Sequence, residues 1–255
     1  MAWIGHSALL VFIALSVYFT ATKDTPPWSR VRVLQIWVLW SLVYLVMKFA
    51  QAALEGRALS SELEWWMPLT GTVIPLWFLP FIYVANSAVY LGLRRLPDKA
   101  GWLEAIGWSA ATIGAIEITY TGLPIPLAQW SLGVAGVLLA IVIVRSENSP
   151  KCWVLLFVSL CVVHAAGASA FAKMFLLALA VTAPVLLLRP KLAIPFAAPL
   201  GALSLGVYIL HHGVASAIKP VFSDLSPIAL AGLVVAISVG IAVLLKSNRR
   251  LGQFI

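Results

Sequence analysis

Long apolar segments recur along the whole chain and are separated by short polar loops. Most of them approach the length of about 20 residues that a helix needs to cross roughly 30 Å of hydrocarbon. The pattern predicts an all-α, polytopic transmembrane helix bundle that forms a single domain over residues 1–255. The nine predicted spans are Ile4–Ala21, Val33–Ala52, Val73–Leu93, Trp102–Thr121, Ile125–Val144, Trp153–Ala172, Met174–Leu188, Phe196–Ile218 and Pro227–Leu245.

The charges of the loops predict on which side of the membrane each end of the chain lies. Lysine and arginine concentrate on the cytoplasmic side of a membrane, and alternate loops of this chain hold thirteen and four of them. We therefore expect the C-terminus in the cytosol and, with nine spans, the N-terminus outside. The richer set is Lys23, Arg30, Arg32, Arg94, Arg95, Lys99, Arg145, Lys151, Arg189, Lys191, Lys246, Arg249 and Arg250, and the poorer set is Lys48, Arg57, Lys173 and Lys219.

Composition supports a membrane protein. Hydrophobic residues make up 62% of the chain and charged residues 10%, whereas a soluble domain carries about 25% charged residues. The net charge of +8 does not indicate a nucleic-acid partner, because the basic residues lie in the loops between spans rather than on one face. The expected partner is the lipid bilayer of the inner (plasma) membrane. Cys152 and Cys161 form no disulfide or metal signature, and no metal site is predicted.

One polar stripe stands out in the eighth predicted span. Ser204, Tyr208 and His211 recur at helical spacing and so share a face, and His212 follows directly. Polar groups within a span are costly and are therefore candidates for function. Imidazole suits acid–base chemistry near neutral pH. The residues alone leave two interpretations open, a site that binds a polar group and passes a proton, or an interhelical hydrogen-bonding cluster.

Other polar residues each admit a structural and a functional interpretation. Glu117, near the outer end of the fourth predicted span, either reaches the interface or faces a site. His6 fits a solvated interface position, and His164 fits a packing hydrogen bond. Arg30 and Arg32, at the cytoplasmic start of the second predicted span, either anchor the topology or hold the phosphates of a donor. Guanidinium groups and helix N-termini both favour anions.

Three groups of segments follow one another in a recognisable order. The first group is Ala8–Thr20, Trp28–Arg32 and Trp37–Tyr44; the second is Pro75–Pro80 (PLWFLP); the third is Leu203–Val214 (LSLGVYILHHGV). Together they resemble the acyltransferase type 3 family of integral membrane enzymes. The first group is similar to the family's second span, basic cytoplasmic loop and third span. The second is similar to a Trp-Phe-Leu motif, and the third to a Ser-Tyr-x-x-Tyr-Leu-x-His signature.

The resemblance implies a function. Members move an acyl group from cytosolic acyl-CoA to a hydroxyl, often of a carbohydrate or glycolipid of the cell envelope. Here the expected donor is acetyl-CoA, which is a substrate rather than a bound cofactor. On this resemblance the roles would divide three ways. His211 and Tyr208 would be catalytic, Arg30 and Arg32 would bind the donor, and the acceptor side would be lined by Trp77, Ser204, His212 and Glu117.

The chain also departs from the family pattern. The family has ten spans, and its first span carries an arginine and then the histidine regarded as the catalytic base. This chain begins at what resembles the second span, so that histidine has no match. Val17 stands where a glycine is common, and Gly206 with its neighbours replaces the first signature tyrosine. Three explanations follow: a longer natural protein, a degenerate homologue without activity, or another base such as His6 or His211.

Two other classes of protein fit the same spans. A transporter or flippase-like protein would account for a bundle whose spans contain proline and glycine. An inactive scaffold of an envelope polysaccharide assembly system would fold and bind partners without using an acyl donor. A transporter would not account for the ordered WFLP and YILHH segments.

Overall fold

The structure is a computed structural model that describes residues 2–21, 31–93, 95–96, 101–119, 127–146, 150–167, 172–188, 197–248 and 252. For residues 2–8, 74, 119, 183–188 and 197–202 it describes the backbone alone. Within these ranges every regular element is a helix. The α-helices are α1 (Ala2–Ala21), α2 (Arg32–Leu54), α3 (Met67–Thr70), α4 (Phe78–Leu93), α5 (Trp102–Thr119), α6 (Leu127–Ser146), α7 (Lys151–Ala165), α8 (Ala172–Leu188), α9 (Ala197–Ile218) and α10 (Pro227–Ser247). Single 3₁₀ turns cover Leu59–Glu62 and Ile74–Trp77.

The all-α prediction is confirmed, and the long helices follow the predicted spans. Among the described residues, four stretches are both long and apolar enough to cross a membrane: Arg32–Leu54, Pro75–Leu93, Leu127–Ser146 and Pro227–Ser247. Shorter apolar helical stretches cover Leu9–Ala21, Lys151–Ala165, Ala172–Thr182 and Leu203–Ile218. The chain therefore has the helices of a membrane protein, while the number of nine crossings stays a prediction. Several loop charges behind the topology lie outside the described residues: Lys23, Arg30, Arg94, Lys99, Arg189, Lys191, Arg249 and Arg250.

The prolines that the sequence places inside spans do not all interrupt helices. Pro80 lies in the first turn of α4 and Pro199 in the first turn of α9, where a missing N–H leaves no hydrogen bond unmade. Pro184 lies within α8, whose helix continues to Leu188. Proline also follows a capping residue at the start of α10. The Ser226 hydroxyl accepts a hydrogen bond from the Ala229 N–H at 3.3 Å, which fixes where that helix begins.

The chain divides into two compact units, and the first comprises residues 1–33 and 77–191. In this unit α6 packs against α1, α4, α5, α7 and α8. Most of α6 is buried, including Leu139, Val142 and Ile143. A helix that is apolar all round belongs in the interior of a bundle. The core of the unit combines these residues with Leu10 of α1 and Phe175 of α8.

The two glycines of α6 allow neighbouring helices to approach closely. A Cβ at Gly133 would lie 2.5 Å from the Phe81 ring of α4, and one at Gly136 would lie 3.2 Å from Ile13 and Leu10 of α1. Small residues at helix contacts are typical of membrane bundles. α6 runs through both glycines, so neither interrupts the fifth predicted span.

An ion pair joins α5 to α6 in the same unit. Arg145 Nε lies 2.6 Å from Glu104 Oε1, and Arg145 Nη2 lies 3.2 Å from Glu104 Oε2. The Trp108 indole N–H donates to the same carboxylate at 3.1 Å. Only 8% of the Arg145 side chain is exposed, so this cation is held by a bidentate partner. The loop charge that the sequence assigns to topology therefore also has a packing role.

The second unit comprises residues 34–76 and 192–255. Here α9 packs against α10, and α2 contacts α9 through Tyr44. Hydrogen bonds and ion pairs between charged side chains stabilise the loop after α2. Glu55 accepts hydrogen bonds from Gln51 and Arg57, at 2.8 and 2.7 Å, and Arg57 also pairs with Glu62. These bonds, first that from Gln51 and then that from Arg57, hold the pKa of Glu55 below its usual value.

Candidate functional site

A stripe of polar side chains runs along one face of α2. Trp37, Ser41, Tyr44 and Lys48 follow one another at spacings of four, three and four residues. Residues at these spacings share one face of a helix. Tyr44 is buried, and the other three are half-buried. This stripe provides one wall of the candidate site in the second unit.

The Tyr44 hydroxyl inserts into the backbone of α9. It donates to the Ile209 carbonyl at 2.7 Å and accepts from the Gly213 N–H at 3.1 Å. These are the two groups, four residues apart, that an unbroken helix pairs with each other. α9 nevertheless continues as one helix from Ala197 to Ile218. The contact is tight, because a Cβ at Gly213 would lie 3.1 Å from the tyrosine oxygen.

The polar stripe of α9 lies beside this insertion. The Tyr208 and His211 rings pack with centroids 5.7 Å apart, and the His212 ring packs edge to face on Tyr44 at 6.0 Å. All three residues of α9 are half-buried. Lys48 and His211 both lie within electrostatic range of His212. The structure thus brings Tyr208, His211 and His212 together, as the sequence predicts, and adds Tyr44 to them.

The tautomer of His211 follows from its contact with its own helix. Its Nδ1 lies at hydrogen-bond distance from the carbonyl oxygen of Tyr208. A carbonyl only accepts, so Nδ1 carries the hydrogen and donates. In the neutral ring Nε2 is then the nitrogen with the lone pair.

The segment between α3 and α4 completes the site. The Tyr208 hydroxyl donates to the Pro75 carbonyl, and the Thr72 hydroxyl donates to the Ser41 carbonyl at 2.5 Å. Gly71 begins this segment with φ +85° and ψ 174°, a conformation that glycine almost alone adopts. The segment thus connects α2 to α9 through hydrogen bonds at both of its ends.

Gly71 packs tightly against the polar stripe of α2. A Cβ there would lie 2.7 Å from Ser41 Oγ and 2.9 Å from Trp37 Nε1. Both of those atoms are buried, and neither has a hydrogen-bond partner among the described residues. Leaving a buried donor without a hydrogen-bond partner costs free energy. This face of α2 carries two such groups where Gly71 packs against it.

The other predicted site residues can be placed one by one. Ser204 is on α9 with an exposed side chain, and Arg32 is the exposed first residue of α2. Arg30 lies outside the described residues. Trp77 and Glu117 belong to the first unit. Trp77 is buried against Phe78 and Phe81, with ring centroids 6.0 and 5.3 Å away, and Glu117 is exposed on α5.

Two further histidines can be placed. His164 is exposed in the last turn of α7, so its side chain is not a buried packing group as the sequence suggests. His6 lies in α1, where the backbone alone is described. Within the described ranges, no group of three His, Cys, Asp or Glu side chains is placed to hold a metal ion. Cys152 and Cys161 are free thiols.

Sequence reasoning missed the contribution of α2. Trp37, Ser41 and Tyr44 enter it only as letters of a family-like segment, although their spacing of four and three residues already places polar atoms on one face. A search for polar residues at helical spacing, which finds the stripe of α9, would have found this stripe of α2 as well. Thr72 and Gly71 carry no comparable signal, because a loop has no periodicity.

Comparison with protein-family models, with curated proteins and with solved structures finds no match for this chain. The chemistry of the site therefore has to be argued from its own residues.

Proposed function

We propose that this protein is a membrane-bound O-acyltransferase. It would move an acyl group, in the simplest case acetyl, from cytosolic acyl-CoA to a hydroxyl of a carbohydrate or glycolipid acceptor. The observation that carries the proposal is His211, whose Nδ1 is engaged by the Tyr208 carbonyl so that Nε2 is the basic nitrogen. An imidazole that one hydrogen bond orients, with Nε2 as its acceptor nitrogen in the neutral ring, can serve as a general base.

The proposed step is a direct acyl transfer. The acceptor hydroxyl oxygen attacks the thioester carbonyl carbon while His211 Nε2 takes the hydroxyl proton. The new ester C–O bond forms and the C–S bond breaks. The departing coenzyme A thiolate takes the proton back from His211. Atoms and charge balance, and no oxidant, metal or further reactant is needed.

The remaining site residues position this base. Tyr208 is assigned a positioning role, because its hydroxyl hydrogen is directed to the Pro75 carbonyl. Tyr44 bonds to α9 at Ile209 and Gly213, directly around the two histidines. His212, packed on Tyr44, would face the acceptor side. Ser204, Trp77 and Glu117 keep their predicted acceptor-side roles only as expectations.

The proposed topology would let the two substrates reach the site from opposite sides of the membrane. Nine crossings place the N-terminus outside and the C-terminus in the cytosol of an inner (plasma) membrane. Arg32 then lies at the cytosolic end of α2, and Tyr44 lies twelve residues along the same helix, at about 1.5 Å each, or roughly 18 Å. Donor phosphates held by Arg30 and Arg32 at that end and a hydroxyl acceptor from the other side would approach the same stripe.

The experiment measures transfer from radiolabelled acetyl-CoA in proteoliposomes and compares three proteins with the wild type. His211→Asn retains an N–H that can donate to the Tyr208 carbonyl but has no basic nitrogen, so it separates structure from catalysis. His211→Ala removes both functions, and His164→Ala, at an exposed position in the first unit, is the matched control. Thermal unfolding checks that each variant is folded.

We expect His211→Asn to fold normally and to lose about 100-fold or more of the transfer rate, the usual contribution of a general base. His164→Ala should keep wild-type activity. Full activity in folded His211→Asn would refute the assignment of the base. Substrate uptake without any acyl donor would instead favour a transporter, and binding of partners without coenzyme A release would favour a scaffold.

A further inference from the structure

A cavity lies between α4, α5 and α6 of the first unit. Its volume is about 520 Å³, which is within the range of roughly 300–1,000 Å³ typical of ligand pockets. Close-packed interiors contain few voids larger than a water molecule. The cavity belongs to a different unit from the histidine site and has no part in the proposed transfer.

The walls of this cavity are apolar. Aliphatic side chains of α4 and α6 form most of them, and two tryptophans, Trp108 and Trp130, complete them. The indole N–H of Trp108 is donated to Glu104 at 3.1 Å, whereas that of Trp130 is buried without a hydrogen-bond partner among the described residues. No charged side chain lines the cavity among the described residues. An occupant of such a space must be mainly hydrocarbon, because most of its polar groups would lose their hydrogen bonds there.

The shape of the cavity is elongated. On α4 it extends from Phe81 to Leu93, twelve residues at about 1.5 Å each, or roughly 18 Å. On α6 it extends from Trp130 to Ile141, or roughly 16 Å. One leaflet of a bilayer is about 15 Å of hydrocarbon deep, half of the roughly 30 Å core. A single extended acyl chain matches this length.

The cavity also opens sideways. Val84 of α4 and Val134 of α6 line it and are nevertheless 52% and 45% exposed. Both helices lie in stretches that are long and apolar enough to cross a membrane. An opening between such helices faces lipid rather than water. We propose that this cavity binds one acyl chain of a membrane phospholipid, inserted from the bilayer between α4 and α6.

Gly92 offers a way to fill the cavity without disturbing its walls. It lines the cavity, and a Cβ at this position meets no atom within 4 Å. Gly92→Leu would place four carbons in the space and also favours helix over glycine. Ala88→Leu, one turn earlier on the same wall, is a second variant should the first fail to fold. Leu91→Phe is the matched control, since Leu91 is 51% exposed and does not line the cavity.

The test uses the full chain in nanodiscs that contain phosphatidylcholine with a photoreactive diazirine acyl chain. After illumination, peptides are mapped by mass spectrometry. We expect adducts on α4 between Val84 and Leu93 and on α6 between Val134 and Ile141. Gly92→Leu should reduce them by about tenfold, because excluding even two methylene groups from a site weakens binding by that order. Leu91→Phe should leave them unchanged.

A second arm separates the two sources of an acyl chain. The same photoreactive chain is supplied as its coenzyme A thioester in unlabelled nanodiscs. Labelling of the cavity by the thioester and not by the phospholipid would overturn the proposal and assign the cavity to the donor. Equal labelling of wild type and Gly92→Leu, or adducts spread evenly over the lipid-facing surface, would overturn it as well.

Discussion

The conformation of Gly71 gives the sharpest test of how α2 and its following segment are packed. Replacing Gly71 with alanine has two costs. Its φ of +85° and ψ of 174° lie in a region that alanine avoids at about 1–3 kcal/mol. The new Cβ would also lie 2.7 Å from Ser41 Oγ and 2.9 Å from both Trp37 Nε1 and Leu76 Cβ. Overpacking of this kind typically adds about 1–3 kcal/mol, so the total is about 2–6 kcal/mol.

Gly56 provides the control for the free-energy cost of backbone strain. Its φ is +67°, yet a Cβ there would meet nothing within 4 Å. Gly56→Ala should therefore carry only a strain cost, about 1–2 kcal/mol. Thermal unfolding in detergent, followed by circular dichroism, measures both variants. For a protein of this size each kcal/mol corresponds to about 2–4 °C in Tm, so the two variants should differ by several degrees.

A second variant separates overlap from strain. Ser41→Ala removes the oxygen nearest to the new Cβ, and that oxygen has no hydrogen-bond partner among the described residues. Ser41→Ala alone should therefore change stability little, while in the Gly71→Ala background it should restore about 1 kcal/mol. The packing described for this segment would be refuted if Gly71→Ala were no more damaging than Gly56→Ala, or if Ser41→Ala restored nothing.

Two further predictions concern groups that join helices. Glu104→Ala removes the bidentate carboxylate from the buried Arg145 and should lower the free energy of unfolding by about 3 kcal/mol, while adding Arg145→Met should recover much of this loss in the same thermal assay. Tyr44→Phe should cost only about 1 kcal/mol, because Gly213 N–H and the Ile209 carbonyl can then pair with each other. Gly213→Ala should cost more than Tyr44→Phe, since its Cβ would press on the tyrosine oxygen.

These predictions have clear contrary outcomes. If the double variant at residues 104 and 145 were as unstable as Glu104→Ala alone, the cost would not come from the arginine that loses its carboxylate. If Tyr44→Phe lowered Tm by far more than Gly213→Ala, the hydroxyl would be doing more than bridging two backbone groups. Each comparison uses the same detergent and heating rate, so that only the side chain differs.

The helices of this protein could be predicted from sequence because apolar periodicity and length specify them. Predicted and observed ends agree within a few residues for most helices, and the all-α class follows directly. Two ends differ more: the span predicted to end at Ala172 ends as α7 at Ala165, and the span predicted from Val73 begins as α4 at Phe78. The sequence predicts a span from Val73, but Pro75 and the turn from Gly71 give a single 3₁₀ turn before α4 begins. Hydrophobicity alone does not distinguish that turn from the helix that follows.

The candidate site was predictable only in part. Tyr208, His211 and His212 belong to one helix, so their spacing alone places them together. Their partners come from other parts of the chain. Tyr44 reaches α9 across 165 residues of sequence and the Pro75 carbonyl reaches Tyr208 across 133. Pairing at such separation depends on how helices pack, which one sequence read without relatives does not specify.

The geometry also bears on the choice between a catalytic site and a hydrogen-bonding cluster. In a purely structural cluster, each polar atom serves to join helices. The Tyr44 and Tyr208 hydroxyls do so, since each bonds a backbone carbonyl of another segment. His211 is different, because its Nδ1 bonds within its own helix and joins nothing. That bond leaves Nε2 as the acceptor nitrogen of the neutral ring, the atom that the proposed transfer would use. His211→Asn keeps the bond and removes Nε2, so its activity decides between the two interpretations.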